Sequence, residues 1–222
     1  MQIDKEFKES IVNTVSIKDQ VADVFEALLD SQIENEFIKS IPVLGWAVKA
    51  VGAIEKIRTN FLVNKILLFL KGISNISEEE LMHFENKFFS NQKNVDKFYQ
   101  ALLISIDRID HIDKSTIVSS LFKSLIHNKI NVSFFLRSVN IVENIYIDDL
   151  KEYLTGTLIF TSGELYEKAN VTQIYLSFGL LNSHIVQQEN ATQRVHKEAE
   201  LRFHFTYSSF GQKFIKACNF EL

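Results

Sequence analysis

The chain has 222 residues but only seven glycines and a single proline, Pro42. A β-sandwich or barrel needs a turn every few residues, and turns draw heavily on these two residue types. Their scarcity favours long helices joined by short polar loops. The length fits one large domain or two small ones. Apolar residues make up 46% of the chain, enough to fill a core.

Apolar periodicity then locates the helices. Phe7, Ile11 and Val15 recur at helical spacing, and so do Val21, Val24, Phe25, Leu28 and Leu29, so residues 5–30 read as two amphipathic stretches. Phe61, Leu62, Ile66, Phe69 and Leu70 form a stripe on residues 60–72, which Gly72 closes as a C-cap. Ser77 and Glu80 have the spacing of a capping box ahead of Leu81, Phe84 and Phe88. Val95, Phe98, Tyr99, Leu102, Leu103, Ile106 and Ile109 hold the period over residues 94–109. Ile117, Val118, Leu121, Phe122, Leu125 and Ile126 hold it over residues 114–127, with Asp113 as the cap. Phe134, Phe135, Val139, Val142, Ile145, Tyr146 and Leu150 carry a third such helix over residues 132–154. Stripes of this kind bury against one another, which assigns residues 1–154 to a helical bundle.

The character changes after residue 155. Thr155-Gly156-Thr157 ends the helical run, and TLIFTSG reads as a short strand or turn. ELYEKA and TQIYLSFGLLNSHIVQQ read as two helices, and QENATQ as a turn. In ELRFHFTY, Leu201, Phe203, Phe205 and Tyr207 alternate with polar residues, as in a half-buried strand. SSFGQKFIKACNF reads as a closing helix. The fold class expected is therefore mainly α: a helical bundle followed by a small α+β module over residues 155–222.

The stretch Leu176-Ser177-Phe178-Gly179-Leu180-Leu181, followed by Phe205-Thr206-Tyr207-Ser208-Ser209-Phe210-Gly211-Gln212-Lys213-Phe214-Ile215, resembles the end of a winged-helix unit. There a helix closing on a leucine-glycine-leucine-leucine step precedes the wing. The wing returns as an aromatic strand into a helix start of the threonine/serine-x-x-glycine-x-x-phenylalanine type. The resemblance implies that Ser208 or Ser209 caps the last helix. Residues 41–154 resemble a family of bacterial helical proteins, on Ile41-Pro42-Val43, on Lys65-Ile66 with Phe69-Leu70, and on Ile106-Asp107-Arg108-Ile109-Asp110. Their helical layout is also similar to that of tellurite-resistance TerB-like domains. Neither resemblance implies an enzymatic activity. Both imply a place in bacterial stress or phage defence.

Composition narrows the function classes. The formal net charge is −4, without the basic surplus that phosphate recognition draws on. Cys218 is the only cysteine, so no intrachain disulfide and no cysteine-rich zinc site can form, which suits a reducing cytoplasm. The start MQIDKEFKES lacks the basic and apolar regions of a signal peptide. No window offers the roughly 18 uncharged apolar residues of a membrane-spanning helix. The expected location is cytoplasmic, or peripheral at the inner membrane. No glycine-rich phosphate loop or dinucleotide fingerprint occurs, and no cofactor is expected.

Three groups of residues remain as candidate sites. Asp107, Asp110, His111 and Asp113 gather oxygen and imidazole donors at one interhelix turn, a set that can hold a divalent cation. Acidic interhelix turns bind metal in some TerB-like members, which the resemblance carries to these positions. The EF-hand pattern fails, because no glycine marks the sharp turn and Val118 stands where the closing glutamate belongs. A polar turn capped by Asp113 is the plainer reading. The histidines His83, His111, His127, His184, His196 and His204 include no i, i+4 pair of the helical zinc kind. His204, beside Arg202 in its strand, is expected to face solvent, and Cys218 to be a small buried apolar residue.

Arg194, Lys197 and Arg202 near the wing, with Gln173, Asn182, Gln187 and Gln188, are the candidate nucleic-acid contacts. Glu164, Glu167, Glu189, Glu198 and Glu200 interleave with them and weaken the electrostatic attraction, so a protein contact fits better. The third group lies in residues 41–72, an apolar helical segment with more than one greasy face. Trp46, Lys49, Lys56 and Arg58 there match what an interfacial membrane helix carries. Such a segment is either core or meets a membrane or a partner. Coverage by residues 5–30 is expected in the resting state. The function expected is that of a non-enzymatic helical interaction protein, working with a protein partner, with itself or at a membrane surface. A winged-helix DNA-binding regulator and a metal-dependent enzyme at the turn around Asp107 and Asp113 are the rivals. Nucleic acid and a small-molecule substrate are disfavoured as partners.

Overall fold

The structure is a computed structural model and describes residues 2–16, 53–155, 169–187 and 201–218, with side chains at 6–13, 60–155, 171–184 and 205–218. Among these residues the chain forms nine helices and one two-stranded antiparallel sheet near the C-terminus. It divides into two compact units, Met1–Ile147 with Ala217–Leu222, and Asp148–Lys216. The second stretch of residues 5–30, from Val21 to Leu29, and the TLIFTSG segment lie outside the described residues.

The first unit holds α1 (Gln2–Ser16), α2 (Ala53–Ile73), α3 (Glu78–Phe88), α4 (Gln92–Arg108), α5 (Lys114–Ile126) and α6 (Val132–Asn144). Side-chain caps start three of them. At α3 the capping box forms: the Ser77 hydroxyl accepts the Glu80 N–H, and the Glu80 carboxylate accepts the Ser77 N–H at 2.7 Å. That bond to the Ser77 amide holds the Glu80 carboxyl below its usual range, with partial burial opposing and His127 helping. Asn91 accepts the Asn94 N–H at 3.0 Å to start α4, and Asn131 accepts the Phe134 N–H at 2.8 Å to start α6.

Asp113 does not cap α5. It stands at the right position, but its backbone is already helical (φ −61°, ψ −25°) and its side chain makes no capping bond. A cap needs extended backbone to turn its oxygen back on the free amides. Gly72 is also corrected. It lies inside α2, where an added Cβ would overlap the Ser119 side chain of α5. The glycine permits close helix packing and does not end the helix. Residues 132–154, finally, are two helices. α6 ends at Asn144, Ile145 is extended and buried, Tyr146 is 60% exposed, and α7 (Ile147–Thr155) starts afresh. Asp148 and Asp149 in its first turn favour a new N-terminus.

Phenylalanine rings fill the first unit. Phe7 of α1 meets Phe69 of α2 at 6.1 Å, and Phe69 meets Phe122 of α5 at 5.6 Å. Phe122 also packs on Phe84, Phe98 and Phe135, so four rings surround it. α2 is central: Val63, Ile66, Leu67, Phe69, Leu70 and Ile73 are all buried. α1 is tied down at its polar edge as well. Glu85 of α3 accepts from Lys8 at 2.8 Å and from the Tyr99 hydroxyl of α4 at 3.0 Å. Burial, and then the Glu85 charge, push the Tyr99 phenol well above its usual range.

The second unit takes α7 from Asp148 onward, α8 (Ala169–Ser177), β1 (Leu181–Gln187), β2 (Leu201–Tyr207) and α9 (Ser209–Cys218) as far as Lys216. The helix expected over TQIYLSFGLLNSHIVQQ stops at Ser177. Gly179 takes φ 69°, the left-handed conformation that ends helices, and the chain continues as β1. The strand expected in ELRFHFTY forms as β2, antiparallel to β1, with Leu181 opposite Tyr207 and Gln187 opposite Leu201. Ser208 caps α9: its hydroxyl accepts the Gly211 N–H at 2.8 Å and donates to the Gly179 carbonyl at 2.6 Å.

Candidate functional site

The interior of the second unit is built on tyrosine. The Tyr153 ring of α7 lies 5.1 Å from Tyr175 of α8, 5.3 Å from Tyr207 of β2 and 6.3 Å from Phe214 of α9. Buried tyrosines need partners for their hydroxyls. Tyr153 donates to the Leu180 carbonyl at 3.0 Å, and Tyr175 donates to the Asp149 carbonyl at 2.8 Å. The Leu180 carbonyl also accepts the Ser208 N–H at 3.0 Å. Gly211 sits against this joint, and a Cβ there would overlap both the Tyr153 hydroxyl and the Leu180 carbonyl. One backbone oxygen thus ties α7, the start of β1 and the start of α9 together. Burial pushes the Tyr175 phenol up, with Asp149 and Glu152 adding, and burial followed by Glu152 and Asp148 raises the Asp149 carboxyl.

The hairpin that rises from this base exposes polar side chains. Asn182 is opposite Thr206 and His184 opposite His204, and Asn182, His184 and Thr206 are exposed. The His184 Nε2 lies 3.4 Å from the Thr206 hydroxyl. Arg202 occupies the β2 position opposite Val186, but its side chain lies outside the described residues, as do Arg194 and Lys197 altogether. Residues 148–216 carry seven Lys and Arg against eight Asp and Glu, so no basic surplus marks this unit.

The acidic turn is organised by two buried lysines. Lys65 of α2 is 2% exposed and donates to the Asp107 carbonyl and, at 3.0 Å, to the Ile109 carbonyl. Lys114 of α5 is fully buried and pairs with the Asp110 carboxylate at 2.5 Å, with the Glu143 carbonyl at 3.4 Å. Both ammonium groups therefore sit at helix C-termini, of α4 and α6, where the helix dipole is negative. His111 turns its Nδ1 to the Asp113 N–H at 3.2 Å. Among the described residues no three His, Cys, Asp or Glu side chains converge on one point, so Asp107, Asp110, His111 and Asp113 are neighbours along the turn and do not form a cage. Periodicity does not reveal the lysines, because each stands in an otherwise apolar or small-residue stripe and looks like a solvent-facing interruption.

Trp46 and Lys49 lie outside the described residues, and Lys56 and Arg58 are on α2 with their side chains outside them. Within residues 60–72 Val63, Ile66, Leu67, Phe69 and Leu70 are buried, with Phe7 and Ile11 of α1 fully buried beside them, whereas Phe61, expected on the same stripe, is 40% exposed. No helix among the described residues is long and apolar enough to cross a membrane. Cys218 is a free, buried cysteine whose thiol burial pushes well above its usual range. No family model, no curated protein and no solved structure matches the chain.

Proposed function

We propose that this chain is a non-enzymatic interaction protein whose residues 148–216 act as a winged-helix-like module that binds a protein partner through its hairpin. One observation carries the reading. The base of the hairpin is bonded into the unit at Leu180, while Asn182, His184 and Thr206 stand exposed on one register face. A contact surface held in place before binding loses little entropy on association. The order of helix, helix, antiparallel hairpin and helix supports the winged-helix resemblance. The even balance of charge in residues 148–216 supports a protein partner over duplex DNA. The single, buried Cys218 supports a reducing, cytoplasmic setting. A role in bacterial stress or phage defence, and a peripheral membrane contact through Trp46, Lys49, Lys56 and Arg58, belong to the same proposal.

The test places a photo-crosslinking residue at position 182 of the full chain in its native cells. It is repeated with Thr206→Glu and His184→Glu added. A discrete protein adduct that disappears with the two glutamates is the expected result. An adduct that survives them, or a duplex-DNA complex that persists at physiological salt, would overturn the reading.

A further inference from the structure

We propose, resting on the reading of the hairpin as a protein contact, that the outer edge of β1 takes an extended segment of the partner as a third strand. The Ser208 N–H bonds the Leu180 carbonyl, and these two positions continue the register in which Leu181 opposes Tyr207. Bonded and non-bonded positions alternate along an antiparallel pair. The peptide groups of Asn182 and His184 therefore point towards β2, and those of Leu181, Ser183 and Ile185 point away from it. Among the described residues β2 is the one strand beside β1, and no other element bonds the amides of Leu181 or Ser183. The outer edge thus presents a row of backbone donors and acceptors at ladder spacing, which an extended backbone matches.

The edge lacks the devices that keep strands from pairing, which are lysine, proline or a bulge. β1 reads Leu-Asn-Ser-His-Ile-Val-Gln, without lysine or proline, and its register with β2 runs through seven consecutive pairs without a bulge. Its base is fixed, because Leu181 is buried and the Leu180 carbonyl is held by Tyr153 and Ser208. The two faces define the segment that fits. On one, Asn182 and His184 are exposed and polar. On the other, the exposed Ser183 stands opposite the half-buried Phe205. Serine is small, so a large apolar side chain on the added strand reaches across it to the Phe205 ring. The segment is therefore extended, free of proline, and alternates polar with apolar residues. A second copy of this chain fits less well. An edge of seven residues is about 23 Å long, and pairing two of them by backbone falls short of the roughly 800 Å² per partner of a stable interface. A linear segment adds side-chain contacts on both faces.

Random linear peptides displayed on phage are selected on the immobilised full chain, and a selected peptide is synthesised and titrated. It should alternate polar and apolar residues and bind the wild type and Ser183→Ala alike. Ser183→Pro removes the outward N–H in the middle of the edge and keeps the ladder to β2, because proline is tolerated where the N–H faces away from the sheet. It should weaken peptide binding about tenfold or more. Amide exchange on the wild type needs no variant. The peptide should slow exchange at Leu181, Ser183 and Ile185, while Asn182 and His184, already bonded to β2, change little. No selected peptide, equal binding to Ser183→Pro, or unchanged exchange at those three amides would overturn strand addition. A dimer of the chain alone that Ser183→Pro dissociates would overturn it too, by assigning the edge to a second copy. The broader reading of the hairpin fails separately. A protein adduct at position 182 that vanishes with Thr206→Glu and His184→Glu but survives Ser183→Pro keeps that reading and removes strand addition.

Discussion

The two units of this protein weight their aromatic interiors differently, the first towards phenylalanine and the second towards tyrosine. In the first, Phe122 is ringed by Phe69, Phe84, Phe98 and Phe135, side chains that offer area and shape but no directional bond. In the second, Tyr153 and Tyr175 bury rings and also hold the carbonyls of Leu180 and Asp149. Among the described residues six helices of the first unit bury apolar faces against one another. Many of its directional bonds sit at helix ends, where Lys65, Lys114, Ser77, Asn91 and Asn131 satisfy free backbone groups, while Glu85 holds Lys8 and Tyr99 at the edge of the core. The smaller unit buries less, and a two-stranded sheet is marginal by itself. Directional bonds at one joint then decide its geometry, and the hairpin inherits its position from them.

Substitutions separate the two interiors, and the largest effect belongs to the phenylalanine core. Phe122→Ala should cost about 3–5 kcal/mol in denaturant unfolding, because four rings lose a partner and the void cannot collapse. Gly211→Ala comes next, at about 1–3 kcal/mol of overpacking. The sign is diagnostic: at an ordinary helical glycine the same change would gain about 1 kcal/mol. Tyr153→Phe should cost about 1 kcal/mol, since the Leu180 carbonyl keeps the Ser208 N–H when the hydroxyl is lost. Smallest is Asp113→Ala, within about 0.5 kcal/mol, the range of an ordinary surface change. Asn131→Ala, which removes a formed cap, should cost about 1 kcal/mol by the same thermal or denaturant measurement.

These residues also show how far the sequence could be read. The phenylalanine core was legible because Phe69, Phe84, Phe98, Phe122 and Phe135 all recur at helical spacing. So was the Ser77–Glu80 box, whose chemistry is local. The break at Ile145 is not, because Val142 and Leu150 are buried on either side of it and the apolar pattern runs on unbroken. The end of α8 is hidden for a similar reason: LLNSHIVQ has enough apolar residues to continue a helix, yet Gly179 takes φ 69° and the segment pairs with β2 as a strand. In the acidic turn Asp107, Asp110 and Asp113 stand out in the sequence, whereas the groups that organise it are Lys65, brought in from α2, and the buried Lys114, which follows Asp113 and looks like one more surface charge. The pairing of His184 with His204 depends on strand register, which no single-sequence spacing contains.

Amide hydrogen exchange on the full chain, wild type against Gly211→Ala, tests most directly the claim that the joint at Leu180 specifies the second unit. The variant is expected to lose protection at the paired amides of β1 and β2, residues 181–187 and 201–207, while the amides of α4, α5 and α6 keep theirs. Unchanged protection in the hairpin, or a loss spread equally through α4, α5 and α6, would contradict it.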